Sequence, residues 1–335
     1  MKDLPHPSIA VEIGLTAAIV AVRGDTPLIL VARGADGRDL RGAGAALPSG
    51  PFDPLHHRTF EMGLRAWVAE QTGVPVGYVE QLYTFGDRGR QSRAGSRDPH
   101  EVSVGYLALT RLLREDLATA PGAGFREWYR FFPWEDWRNG RPALIDSTIM
   151  PGLRAFVERG RDAGASTHRR GLTRIERMRQ LFGEEGDRFD EDNVLDRYEL
   201  LYEAGLVEES ARDGREPAPG VANWPPLGES MQADHRRILA TAMGRLRAKM
   251  KYRPVIFELM PESFTLTALQ TTVEAISGRH LHKQNFRRLV EAAAVVEATG
   301  EMSHATGGRP AALFRFRREV LQERPSPGLR VGIRG

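Results

Sequence analysis

The sequence contains no cysteine. That removes disulfides, cysteine nucleophiles and thiolate-held metals, and it suits a reducing compartment. No apolar run approaches the roughly 18–20 residues of a membrane span. The opening stretch Met1–Pro7 carries no apolar core of the signal-peptide kind, and Ile13–Val22 reads as a buried strand. A cytoplasmic chain with no membrane partner is expected. Neither a G-x-G-x-x-G run nor a P-loop occurs, so two common glycine-built phosphate cradles are excluded. The histidines show no metal-ligand spacing: His56 and His57 are adjacent, and His280 and His282 lie two apart. No internal repeat is evident. On this reading the chain has no catalytic residue and no metal ligand to assign.

What is present is an ordinary globular composition. The 335 residues are 41% apolar and 27% charged, enough for two or three domains with a core in each. The formal charge is only +3, but it is unevenly spread. From Arg279 to Arg318 there are eight Lys or Arg against three acidic residues, Glu291, Glu297 and Glu301. A basic end on a near-neutral body points to a polyanion partner, with a solvated basic surface as the competing reading.

Short apolar runs separated by turn signals predict strands at Leu15–Val22, Leu28–Ala32, Val79–Phe85 and Val102–Leu109. Between them Thr59–Gln71 predicts a helix stopped by Gly73. An aromatic-rich passage, Phe125–Pro142, precedes helical patterns at Leu153–Arg161, Leu172–Phe182 and Asp192–Ala204. Arg212–Gly228, rich in Pro and Gly, reads as a linker. A further helix runs from about Ala233 to Met250, with Ile238, Leu239, Ala242, Met243, Leu246 and Met250 on its apolar face. Its other face carries Arg236, Arg237, Arg245, Arg247 and Lys249, and the helix is a candidate dimer or relay element.

The last eighty or so residues hold the most informative pattern. A helix begins near Phe264, with Thr267 and Gln270 as an expected capping box and Leu266, Leu269, Val273 and Ile276 on one face. Gly278 stops it. After the turn Arg279–Leu281, a second helix spans about His282 to Ala293. Phe286, Leu289, Val290 and Ala293 would face inward. His282, Lys283, Gln284, Asn285, Arg287 and Arg288 crowd its first half. A helix, a tight turn and a second helix with polar, basic N-terminal residues form the helix-turn-helix pattern, in which those residues meet base edges in the major groove. Two strand-like runs follow, Val295–Ala298 and Ala312–Phe316. The loop joining them ends in Gly308-Arg309-Pro310, which reads as a wing with Arg309 as a minor-groove probe. An ordinary helical subdomain with a basic surface is the bland alternative. The ordered set favours DNA.

At this point the sequence resembles a known family. Phe257-Glu-Leu-Met-Pro-Glu-Ser-Phe-Thr-Leu-Thr-Ala-Leu-Gln270, His282-Lys-Gln-Asn-Phe-Arg-Arg-Leu289 and Gly307-Gly-Arg-Pro-Ala311 look like the winged-helix end of the Nudix-related regulators of NAD metabolism. Glu80-Gln-Leu-Tyr-Thr-Phe-Gly-Asp87 and Val102-Ser-Val-Gly-Tyr-Leu-Ala-Leu109 look like the Nudix-like half of the same family. Phe132-Pro-Trp-Glu-Asp-Trp-Arg138, Arg197-Tyr-Glu-Leu-Leu-Tyr-Glu-Ala-Gly-Leu206 and Asp234-His-Arg-Arg-Ile-Leu239 are similar to the longer, alphaproteobacterial NadQ-like group.

The resemblance implies an α+β chain. Residues 1–160 would form a Nudix-like αβα sandwich and 161–250 a helical connecting and dimerisation region. Residues 251–322 would form a winged helix-turn-helix, and 323–335 a tail. It implies a repressor of NAD-biosynthesis genes whose partners are double-stranded operator DNA and a nucleotide. No cofactor is required. The effector is expected to be an adenine nucleotide such as NAD, ATP or ADP-ribose, and a homodimer is expected from palindrome reading.

Nudix hydrolases hold Mg²⁺ with carboxylates from a G-x5-E-x7-R-E-U-x-E-E-x-G-U box. Anchored on Gly73, that register places Ala66 at the Arg, Trp67 at the first Glu of the core, Glu70 at a retained Glu and Gln71 at its neighbour. Arg58 stands at the upstream Glu and Phe52 at the first Gly. A hard cation depends on charged oxygen ligands, so efficient hydrolysis is not expected. A Nudix-type hydrolase of nucleoside-diphosphate derivatives with a nucleic-acid-binding tail is the rival reading. Arg33, Arg88 and Arg90 are candidate phosphate partners. Trp67, Phe85, Trp134 and Trp137 are candidate stacking partners, with core packing as their competing role. Glu70 completes the candidate set.

Overall fold

The structure is a computed structural model that describes residues 11–32, 45–87, 100–112, 119–159, 171–183, 189–218, 224–303 and 310–323. Arg33, Arg88, Arg90 and Arg309 lie outside the described residues.

Six strands build one sheet. They are β1 (Val11–Arg23), β2 (Thr26–Val31), β3 (Ser49–Pro51), β4 (Val79–Phe85), β5 (His100–Leu109) and β6 (Gly124–Glu127). The order is β4-β5-β1-β2-β6, with β3 also paired to β1. The β1–β5 pair is parallel and the others are antiparallel. β1 is central and covered on both faces, which explains its near-continuous apolar run. Leu15, Ala17 and Ile19 point to one side, where Leu64 and Val68 of helix α1 (Phe60–Thr72) pack on them. Ala18 and Val20 point to the other side, where α6 (His235–Met250) supplies Ile238, Leu239, Ala242 and Met243. The result is a three-layer αβα unit. The connecting helices α2 (Met150–Arg159), α3 (Arg174–Phe182), α4 (Val194–Glu203) and α5 (Glu208–Arg212) complete the layer around α6. Among the described residues, no helix is long and apolar enough to cross a membrane.

The cations of α6 are not a solvent face. Arg236, Arg237 and Arg247 are buried, Arg247 to 1% exposure. The sequence pattern misplaces them because their carboxylate partners come from distant segments. Glu135, fully buried, accepts Arg197 Nε at 2.5 Å and Nη2 at 2.9 Å, and Arg247 Nη1 at 2.7 Å. Burial alone would push the Glu135 carboxyl up, but the two guanidiniums hold it below its ordinary value. Arg236 pairs with Glu209 and donates to the Phe131 and Leu227 carbonyls. Arg237 pairs with Glu199, Asp234 and Asp87. Arg245 and Lys249, further out, both reach Glu80.

The C-terminal unit contains α7 (Leu266–Ser277), α8 (Lys283–Ala293), the antiparallel strands β7 (Val296–Ser303) and β8 (Ala311–Phe316), and the short α9 (Val320–Glu323). Phe264 bridges Phe314, adding a third short edge to the two-stranded sheet. The expected Thr267–Gln270 capping box is not formed. Thr265 caps α7 by accepting the Ala268 N–H at 3.1 Å, while Gln270 donates to the Leu281 carbonyl at 2.8 Å. β7 also runs further than expected, to Ser303, with an irregular register between Ala298 and Met302.

Removing the Glu135 charge would leave Arg197 and Arg247 buried without a counter-ion. Glu135→Gln is expected to lower unfolding stability by about 3–5 kcal/mol. Urea unfolding of the variant beside wild type measures this, and a difference under about 1 kcal/mol would show that the carboxylate is dispensable.

Candidate nucleic-acid interface and ligand face

The helix-turn-helix is positioned from both sides. Leu269, Val273 and Ile276 bury one face of α7, and Gly278, in the left-handed region at φ 71°, ends the helix. Phe286 and Val290 anchor α8 beneath it. Glu274, in the last turn of α7, accepts the Leu281 backbone N–H at 2.8 Å and the Gln270 amide at 2.9 Å, and lies 3.1 Å from His280 Nδ1. Burial opposes the charge on Glu274, yet these donors hold its carboxyl below the ordinary value. Glu274 and Gln270 therefore fix the turn. The sequence offered only their i, i+4 spacing as a signal.

With α8 so held, His282, Lys283, Gln284, Asn285, Arg287 and Arg288 are all exposed. They form one polar, cationic array on the N-terminal half of the helix, of the kind that can enter a major groove. The wing strands stand beside it. Gly300 at φ 84° sits within the irregular part of β7, and Arg315 pairs with Glu297 at 2.6 Å. Phe257, stacked on both Phe264 and Phe316, fastens the wing to the helices. Between this unit and the β1–β2 hairpin lies a cleft of about 780 Å³, lined by Arg23, Arg111, Leu259, Phe264 and Thr265 among others.

The structure divides the candidate ligand residues into separate places. Trp67 and Glu70 lie on α1. Glu70 is exposed, and Trp67 is half-buried with its indole N–H donating to the Pro51 carbonyl at 2.9 Å. Phe85 is buried on the opposite face of the sheet, with the Arg237 guanidinium 5.3 Å from its ring centre. Trp134 is fully buried against Phe132. Trp137 stacks on Phe189 at 4.4 Å and lines a cavity of about 370 Å³ with Arg179 and Phe182.

At α1, residues in the positions of Nudix carboxylates make structural bonds. Gln71 pairs with the Ser49 backbone in both directions, accepting its N–H at 3.1 Å and donating to its carbonyl at 2.6 Å. A carboxylate could accept but not donate. The Trp67 ring lies over Gly50, where a β-carbon would fall 2.4 Å from it, so the small residue seats the large one. Glu61 pairs with Arg65 at 2.9 Å. Among the described residues, no three His, Asp or Glu side chains converge to hold a metal ion.

Taken together, these elements define the class as a Nudix-like αβα unit joined to a C-terminal winged helix. Residues 256–316 match the family model described as the NrtR DNA-binding winged helix domain. Over 99 residues the chain is 39% identical to the ADPR responsive transcriptional repressor NtrR of Acinetobacter baylyi. That stretch covers 28% of this chain and spans 39% of the relative's length. Among solved structures, Shewanella oneidensis NrtR complexed with a 27mer DNA superposes with a TM-score of 0.54 at 18% identity, covering 92% of this chain and 95% of that one. A MutT/nudix family protein from Enterococcus faecalis gives 0.50 at 16% identity, covering 94% and 90%. At such identities the structural likenesses establish the fold.

Restoring the box residue with Gln71→Glu is expected to destabilise the protein by about 1–3 kcal/mol, because a carboxylate would then oppose the Ser49 carbonyl. Thermal unfolding with and without Mg²⁺ measures this. A variant as stable as wild type, or one that Mg²⁺ selectively stabilises, would show that the position still suits metal binding.

Proposed function

We propose that this chain is a ligand-responsive transcriptional repressor of NAD-biosynthesis genes. The winged helix binds operator DNA, and an adenine nucleotide bound by the Nudix-like unit modulates that binding. The observation that carries the reading is the α8 array: six polar or basic side chains, His282 to Asn285 with Arg287 and Arg288, exposed together on the element that a winged helix lays in a groove. The match of residues 256–316 to a DNA-binding winged helix domain supports it. The likeness to the Acinetobacter ADPR responsive repressor favours ADP-ribose over NAD or ATP as the effector. Arg309 is assigned to the minor groove. The nucleotide is assigned to the α1 side of the sheet, with Trp67, Glu70 and the phosphate partners Arg33, Arg88 and Arg90.

The chain senses without cutting. Gln71 and Trp67 are engaged in holding β3, and among the described residues no ring of carboxylates is formed. Two copies would place two α8 helices on a palindromic operator, so the working unit is a homodimer.

The test is a fluorescence-anisotropy titration of the full chain against promoter DNA of an NAD-synthesis operon, repeated across salt. Binding governed by phosphate contacts weakens steeply as salt rises. Arg288→Ala is expected to weaken it by roughly five- to a hundredfold if that side chain reads a base. Salt-insensitive binding, or an Arg288→Ala variant with wild-type affinity, would contradict this assignment.

A further inference from the structure

Helix α6 touches both halves of the molecule through its two ends. At the first turn, the half-buried His235 ring accepts the Leu47 N–H at 2.9 Å through Nδ1. Burial, reinforced by Arg212, lowers its pKa to about 4, so the ring is neutral and able to accept. Immediately before the helix, the Gln232 N–H donates to the Ala45 carbonyl at 2.9 Å, and Met231 bridges Ala45. Leu47 leads into β3, whose Ser49 and Pro51 are bonded to Gln71 and Trp67 of α1. Arg237 pairs with Asp87, just beyond the end of β4. The start of α6 thus rests on the segments that flank the ligand face.

Roughly 18 Å further along the helix, at 1.5 Å per residue, stands Arg247. Its Nε donates to the Ile276 carbonyl at 2.8 Å while Nη1 holds Glu135. Tyr129 donates its hydroxyl to the Ala275 carbonyl at 2.8 Å, and the Trp137 N–H donates to the Gly278 carbonyl at 2.8 Å. The carbonyls at the end of α7, which a free helix would leave to water, are taken up by the Nudix-like half. Gly278 is required there for a second reason besides its φ: a β-carbon would lie 2.4 Å from the Glu135 carbonyl oxygen. Throughout, the array on α8 stays exposed. The docking fixes the direction of α8 without covering it.

We propose that α6 transmits the ligand signal, and that Tyr129 and Arg247 are positioning residues for α8, setting the angle and spacing at which two recognition helices meet an operator. This rests on the repressor reading above. It follows that the nucleotide acts by tilting a helix that is already exposed, and not by uncovering it. The contacts are contiguous from α1 through β3 and α6 to the α7–α8 turn, a route along which packed elements can carry coupling.

Tyr129→Phe in the full-length protein removes one part-buried hydroxyl and tests the proposal in two arms. In the first, hydrogen–deuterium exchange of the free protein is followed over residues 275–285. Exchange about tenfold faster at the turn is expected, and unchanged exchange overturns the docking. In the second, anisotropy compares a promoter duplex carrying both half-sites with one carrying a single half-site. The variant is expected to lose about fivefold or more on the double site and less than about twofold on the single site, and to respond less to ADP-ribose. Equal loss on both duplexes, or none on either, overturns the positioning role. A wild-type protein that binds neither duplex would refute the repressor reading, whereas the exchange arm would still decide the docking.

Discussion

The buried carboxylate of Glu135 is the point on which this architecture turns. It lies in the aromatic passage after β6, and it is the shared counter-ion of Arg197 on α4 and Arg247 on α6. Through Arg247 the same cluster reaches the end of α7. One charge therefore joins the sheet unit, the helical layer and the winged helix. Buried ion pairs add little net stability, since desolvation offsets most of the attraction. What they do impose is geometry, because any arrangement that separates these groups leaves a charge unpaired in a dry interior. The relative placement of the three units is specified more tightly than apolar packing alone would specify it.

This constraint also shows where the sequence was readable and where it was not. The four long strands were visible as apolar runs between turn signals, and they come out within a few residues at each end. Helix α8 was visible because its buried side, Phe286 and Val290, and its polar side separate cleanly. Those are local properties. The burial of Arg236, Arg237 and Arg247 was not legible, because the compensating carboxylates lie far off in the chain: Glu135 is 112 residues from Arg247 and 62 from Arg197. A helical wheel places an arginine outside unless its partner is known. The cap of α7 failed for a related reason. Thr267 and Gln270 fit the capping-box pattern better than Thr265 and Ala268 do, but Gln270 is committed to the Leu281 carbonyl across the turn. For the candidate ligand residues, aromatic type alone does not place a ring, and the structure separates them: Phe85 and Trp134 are core, while Trp67 bonds to β3.

In the Nudix-like half, two positions of the box are given over to packing. In the register of the box, Gln71 and Trp67 stand where carboxylates would chelate a metal, and each is occupied by a bond to β3 that a carboxylate could not make. The helix that would carry catalysis instead reports on the strand beneath it. Since β3 leads back through Leu47 to His235, the same substitutions that remove metal ligands tie α1 to α6. One set of side chains thus occupies metal-ligand positions of the box and joins α1, through β3 and Leu47, to α6.

The central claim is that the front half binds a nucleotide intact and alters how the back half holds DNA. The most direct measurement is a titration of ADP-ribose, in the presence of Mg²⁺, into the full-length protein bound to fluorescent promoter DNA, with the nucleotide pool assayed for AMP at the end. The account predicts a change in DNA affinity of about tenfold or more with the ADP-ribose recovered unhydrolysed. DNA binding indifferent to ADP-ribose, or rapid conversion of the nucleotide to AMP, would contradict it.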